Sequence, residues 1–122
     1  MEKALPRHGS SRERLESAIR AYFKLVDDMQ DEMLVMYQET KSLEKEALKY
    51  VLKKELDFMA IFEPLIRDCV QEDVFQLSDA EIKAYAHNIL VMGQMWAFRR
   101  WVLGKQFTID EYIDLQIKFI FR

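Results

Sequence analysis

Glycine and proline are scarce in this chain, three and two among 122 residues. A sheet protein turning on many tight hairpins needs more of both, so long helices are the expected alternative. Cys69 is the single cysteine. It allows no internal disulfide, and a reducing, cytoplasmic compartment is the easier reading. No uninterrupted apolar run approaches the roughly 18 residues a membrane-spanning helix requires. The opening MEKALPRHGSS lacks the hydrophobic centre of a signal peptide. No excess of positive charge exists either: 18 Lys and Arg stand against 21 Asp and Glu, and a net charge of −3 offers no surface for nucleic acid in the totals. Motifs of catalysis are missing as well. There is no phosphate-cradling Gly-rich loop, no H-E-x-x-H, no cysteine pair at metal spacing and no G-x-S-x-G. No residue supports an enzyme, and neither a metal nor another cofactor is expected.

What is present suits one globular domain. Half the residues are apolar and 32% are charged, which can build a core and still cover it. Residues 1–9 read as a tail, broken by Pro6 and Gly9. Ser10-Ser11-Arg12-Glu13 then matches the S-x-x-E capping box, in which two side chains satisfy the free N–H groups at a helix start. The helix it opens carries Leu15, Ala18, Ile19, Tyr22, Phe23, Val26 and Met29 on one face and should end near Asp28. A short helix follows over Asp31–Glu39. After a joint at Thr40-Lys41-Ser42, a long helix runs from Leu43 to about Asp73, with Ala47, Val51, Phe58, Phe62, Leu65 and Cys69 as its stripe. Pro64 lies inside it and predicts a kink or break near Phe62–Glu63. Ser78-Asp79-Ala80-Glu81 and Thr108-Ile109-Asp110-Glu111 are two further capping boxes. No strand alternation and no internal repeat occurs. The expected fold is all-α, a single bundle of five to six helices over residues 10–122.

The stretch Asp79–Leu103, closed by Gly104, organises the rest. Ile82, Ala86, Ile89, Gly93 and Trp96 form one stripe, flanked by Tyr85 and Met92. The opposite side should be polar, yet it holds Ala84, Val91, Met95 and Phe98, with His87 and Gln94 among them. A helix apolar on two sides must be covered on both. The final helix, Ile109–Phe121, raises the same question. The expectation is a homodimer, with Val91, Met95 and Phe98 from the central helix and Tyr112, Ile113, Gln116, Ile117 and Ile120 from the last at the interface.

Phe23, Met36, Tyr37, Phe58, Met59, Phe62, Met92 and Trp96 fall on inward faces of helices that must meet. They either close-pack or line a cavity. Seven methionines, flexible and polarizable, suit an adaptable apolar cavity. The expectation is a ligand-binding cavity with His87 or Lys54 as a polar end. Lys54 falls among Tyr50, Val51 and Phe58, where it either carries its ammonium out to water or marks the mouth. His87 is a half-buried histidine with one partner, or a polar contact to a ligand or partner helix. Arg99 and Arg100, between Trp96 and Trp101, form a cation–π cluster or a solvated helix end. Cys69, on the long helix's apolar stripe, reads as a buried, inert thiol.

Three runs carry a family resemblance: SRERLESAIRAYFKLVDDMQDEMLVMYQETKSLEKEAL, FEPLIRDCVQEDVF and GQMWAFRRWVLGKQFTIDEYIDLQIKFIF. From about Ser10 to the end, the chain resembles the C-terminal regulatory domain of TetR-type bacterial transcription regulators. Helix order, the W-x-x-x-x-W segment Trp96–Trp101 and the closing T-x-x-E helix carry the likeness. The resemblance implies an effector-binding and dimerisation domain of a repressor. In that family the last two helices of each subunit pair with those of a second subunit, and the remaining helices enclose a cavity for a small apolar effector. The chain looks most like regulators that respond to fatty acyl thioesters or similar lipid-like molecules. Such regulators read DNA through an N-terminal helix-turn-helix domain. Nothing of that kind precedes Ser10, where residues 1–9 read at most as the remnant of an inter-domain helix, so DNA is expected to be reached only through a part this sequence lacks. The alternative is a stand-alone dimeric helical protein that binds a lipid-like molecule or a protein partner.

Overall fold

Ser10, Ser78 and Thr108 each open a helix in the computed structural model. Each side-chain oxygen accepts from the backbone N–H three residues on, and Glu13, Glu81 and Glu111 reach back to the capping residue. All three capping boxes are formed as the sequence predicts. The structure describes residues 9–38 and 45–122, with side chains described for 9–35 and 49–122. Six helices follow in order: α1 (Ser11–Asp28), α2 (Gln30–Gln38), α3 (Lys45–Gln71), α4 (Asp79–Phe98), α5 (Arg100–Gln106) and α6 (Ile109–Ile120). No strand occurs among the described residues. The expected joint at Thr40-Lys41-Ser42 lies outside them.

Two boundaries differ from expectation. Pro64 does not end α3, which runs from Lys45 to Gln71, and the proline ring lies exposed on the outer side. The stretch Asp79–Leu103 is two helices, not one. Arg99, with φ −115° and ψ 22°, closes α4 by donating its N–H to the Met95 carbonyl, and its own carbonyl accepts from Leu103 in α5. Two contacts accompany the bend: Arg100 pairs with Asp31 of α2, and locally the Arg99 guanidinium lies 5.8 Å from the Trp101 ring centroid. Gly104 falls inside α5 and does not terminate α4.

α3 ends on a left-handed residue. Asp73 has φ 63°, and the N–H groups of Asp73 and Val74 donate back to the carbonyls of Val70 (3.1 Å) and Cys69 (2.8 Å). This paired return satisfies carbonyls that the helix end would leave bare.

α1 lies in the middle of the bundle. It runs antiparallel to α3, where Arg14 meets Asp68 (3.2 Å), and antiparallel to α6, where Arg20 meets Asp114 (2.8 Å) and Lys24 meets Asp110 (3.7 Å). It runs parallel to α4, tied by Tyr22 to Leu90 and by Asp27 to Trp96. Its predicted face is the buried one, from Leu15 to Val26. Phe23, Phe62, Leu15, Ile19, Ile66, Ile89, Ile113 and Ile120 are sealed at its contacts with α3, α4 and α6. Each such side chain contributes about 1.5–3 kcal/mol through burial.

Three tyrosines join helices through their hydroxyls. Tyr22 donates to the Leu90 carbonyl at 2.7 Å, Tyr85 to the Ile120 carbonyl at 2.6 Å, and Tyr112 to the Met92 carbonyl. A buried phenol needs a partner for its O–H, and a helix carbonyl has a spare lone pair. Burial raises the Tyr85 hydroxyl above its ordinary value and pushes Tyr112 up to about 12. Cys69 is fully buried on α3, and burial pushes its thiol up, which suits the inert role expected of it.

Candidate functional site

The bundle is not closed at the end where α1 runs into α2. A cleft of about 400 Å³ opens there between α1, α2, the N-terminal half of α3 and α4. Leu25 and Val26 of α1, Met29, and Met33 of α2 form one wall, and Phe58 and Ile61 of α3 face them. Tyr22, Leu90 and Gln94 line it as well, and Tyr50, Lys54, Glu55 and Asp57 complete the lining. Its surface is therefore mostly apolar, with charge of both signs on the α3 side.

Local sequence explains why the cleft forms here. The buried stripe of α1 ends at Val26, and Leu25 and Met29, one turn apart, lie beside it and remain 44% and 43% exposed. They face the opening, and among the described residues no helix is laid over them. Asp27 accepts from the Trp96 indole N–H at 2.9 Å, and Asp31 pairs with Arg100. Those two contacts hold the α1–α2 corner onto α4 and α5 and keep the opening in place.

The predicted ligand residues divide. Lys54 and Phe58 are on the cleft wall. Phe23 and Phe62 are fully buried and line no cleft; they are part of the packed core, where Phe62 stacks on Phe58 at 4.2 Å between centroids. Trp96 is buried too, committed to Asp27 and to the Tyr112 ring at 4.9 Å. Met59 faces a second, smaller cleft around Pro64 and Arg67 on the other side of α3. Met92 is half-buried and packed on the core, away from the cleft. His87 is exposed rather than half-buried, and it does not reach the cleft. The Met36 and Tyr37 side chains lie outside the described residues. Leu25, Met29, Met33, Tyr50, Ile61 and Leu90 were not among the expected wall residues; spacing from Leu25 to Met29 to Met33, four residues apart each time, was the available signal.

The expected interface residues divide as well. Val91 is 56% exposed, and Met95 and Phe98 are half-buried on α4. Tyr112, Ile113, Gln116, Ile117 and Ile120 are all buried within the single chain. They are the one apolar stripe of a 12-residue helix, and α1 and α4 already cover it. The Tyr112 ring lies 5.7 Å from that of Phe23. The free side of α6 is the other one, with Leu115 at 37% and Phe119 at 49% exposed. α6 runs antiparallel beside α4, so Leu115 and Phe119 lie on the helix next to Val91. Gln94, expected on the outward side of α4 with Val91, faces inward, because Leu90 and Gln94 are one turn apart and both border the cleft.

Among the described residues, no group of three His, Cys, Asp or Glu side chains is placed to hold a metal ion, and no helix is long and apolar enough to cross a membrane.

Residues 8–101 match the family described as Tetracyclin repressor-like, C-terminal domain. A relative, the HTH-type transcriptional regulator HbdR of Aromatoleum sp. (strain CIB), is 26% identical over 102 residues, 84% of this chain. That match covers 44% of HbdR, so the chain spans less than half the length of this relative. No solved structure gives a significant match. A family match over most of the chain, on an all-helical bundle with the expected order of elements, places this protein among the tetracyclin repressor-like C-terminal domains, the ligand-binding part of TetR-type regulators.

Proposed function

We propose that residues 10–122 form the effector-binding and dimerisation unit of a TetR-type transcriptional repressor, and that the cleft between α1, α2, α3 and α4 is its effector site. The observation that carries this reading is the cleft itself: about 400 Å³, walled by Leu25, Met29, Met33, Phe58 and Ile61, in a chain of this family. That volume and lining suit a small apolar molecule, with a lipid-like effector such as a fatty acyl thioester as the leading candidate. HbdR is named a transcriptional regulator of the helix-turn-helix type, and DNA reading is assigned here to a part of the regulator other than residues 10–122. Arg14, Arg20, Arg67 and Arg100 support that assignment, since each is engaged in an ion pair with a carboxylate of the same chain. No catalytic role is assigned to any residue.

Dimerisation belongs to the outer sides of α4 and α6. Val91, Leu115 and Phe119 are exposed there on neighbouring antiparallel helices, and an apolar surface of this kind is a candidate interface. Sedimentation of the purified chain should give twice the 14.6 kDa protomer mass. Phe119→Glu should yield a folded monomer. Lauroyl-coenzyme A should raise the melting temperature of the wild type. A monomeric wild type sinks the interface, and a melting temperature indifferent to a panel of apolar ligands sinks the effector site.

A further inference from the structure

We propose that Met29 is a modification site: a peroxide converts its thioether to the sulfoxide, and that change lowers the affinity of the cleft for its apolar ligand. The inference rests on the cleft being the effector site.

Met29 stands at the joint between α1 and α2. Its N–H donates to the Leu25 carbonyl at 3.0 Å, and its own carbonyl accepts from the Met33 N–H at 2.9 Å. The backbone is thus held on both sides, and the side chain lies on the cleft wall with Leu25 and Met33, four residues to either side. It is 43% exposed. The other methionines with described side chains are less open: Met33, Met92 and Met95 are half-buried, and Met59 is buried. Cys69, the one thiol, is sealed in the core. Among the described residues, then, Met29 is the sulfur that a peroxide dissolved in water meets first.

The step is complete with hydrogen peroxide alone. A sulfur lone pair attacks one peroxide oxygen, the O–O bond breaks and an S=O bond forms; the other oxygen leaves as water with both protons. The sulfur loses two electrons and the peroxide gains them. A flexible apolar side chain becomes a polar one.

Where the new oxygen lies decides the effect. With the cleft empty it turns to water, because Met29 is open to solvent, and the fold loses little. An apolar ligand seated against Leu25, Met29 and Ile61 covers that oxygen and returns no hydrogen bond, which is costly. The cost therefore falls on binding and not on folding. Leucine would give the wall the same apolar area, and the thioether adds this reactivity to it.

The test treats the purified chain with hydrogen peroxide, removes the reagent and titrates the neutral fluorescent probe N-phenyl-1-naphthylamine. Tandem mass spectrometry of tryptic peptides places the added oxygen. Met29 should gain it before Met33, Met59, Met92 and Met95. Probe affinity should fall by about tenfold in step with Met29 oxidation, the scale of one polar atom buried without a partner, while circular dichroism stays unchanged. The two methionine sulfoxide reductases, one for each epimer, should restore it. Each variant is judged against its own untreated form: Met29→Leu should show no fall on treatment, and Met33→Leu should still show one. Oxidation of a buried methionine ahead of Met29, an affinity that survives Met29 oxidation, a fall that persists in Met29→Leu, or a loss of helix accompanying the loss of affinity overturns the role of Met29 and leaves the effector site standing. Failure of the probe to bind the untreated protein overturns both.

Discussion

Tyr22 occupies the space that a side chain at Gly93 would need. A Cβ at that glycine would meet the ring's Cε2 at 2.3 Å and its hydroxyl oxygen at 2.7 Å. The ring cannot easily give way, because its hydroxyl is bonded to Leu90 and its other edges touch Phe23, Phe58 and Phe62. Gly93→Ala should therefore cost about 1–3 kcal/mol by overpacking, despite alanine's better helix propensity. Urea denaturation at fixed protein concentration measures it. Adding Tyr22→Ala should recover part of the Gly93→Ala loss; strictly additive losses would show that the two residues do not compete for one space.

Alkaline pH should unfold the protein through Tyr112. Its hydroxyl is pushed up from 10.0 to about 12, chiefly by burial. The unfolded chain releases this proton near pH 10 while the folded chain still holds it, so the unfolded state gains as pH rises. Tyr112 leaves stability unchanged below pH 10 and lowers it between pH 10 and about 12, by an amount on the order of 2–3 kcal/mol. Tyr85 is shifted the same way and adds to the fall. Tyr112→Phe should flatten the slope above pH 10 in a pH series of denaturation midpoints. An unchanged slope would place the alkaline sensitivity elsewhere.

Asp73→Gly should stabilise. Asp73 holds φ 63° at the end of α3, a conformation that glycine adopts without a Cβ penalty. The expected gain is about 0.5–1 kcal/mol, offset in part by the greater freedom of glycine in the unfolded chain. A lower denaturation midpoint in Asp73→Gly would mean that the aspartate side chain stabilises this turn.

Removing the Asp27 carboxylate should loosen the α1–α2 corner. Asp27→Ala leaves the Trp96 indole N–H without its partner while the ring stays buried, at a cost of about 1–3 kcal/mol. Hydrogen exchange should rise in α2 before it rises in α6. Equal acceleration in both helices would show that the contact supports the whole bundle and not this corner.

Local chemistry made much of the fold legible. A capping box is a matter of residues three apart, so Ser10, Ser78 and Thr108 announced their helices. The buried stripes of α1 and of Ile82, Ala86 and Ile89 follow from helical period alone. The break at Arg99 was not legible, because no proline or glycine marks it, and the Arg100–Asp31 pair that accompanies it joins residues about seventy apart in sequence. The site was harder still. Phe23 and Phe62 are as apolar as Phe58, and only their depth between three helices separates a sealed ring from a cleft wall. Gln94 and Val91 are three residues apart, close enough to share a side on a helical wheel, yet the contact of Tyr22 with Gly93 turns the side bearing Gln94 toward α1. The stripe of α6 is legible as apolar from its period, but what covers it is not: α1 of the same chain packs on it.

That last arrangement bears on how the protein is made. Arg20 and Asp114, which join α1 to α6, are 94 residues apart in sequence. A ribosome adding about 5–20 residues per second needs roughly 5–20 s to make that span. Until α6 emerges, the nascent chain carries α1 with the side of Phe23 that meets Tyr112 still bare. The packing of α1 therefore cannot be completed before α6 is made, and during that interval one apolar side of α1 stays uncovered.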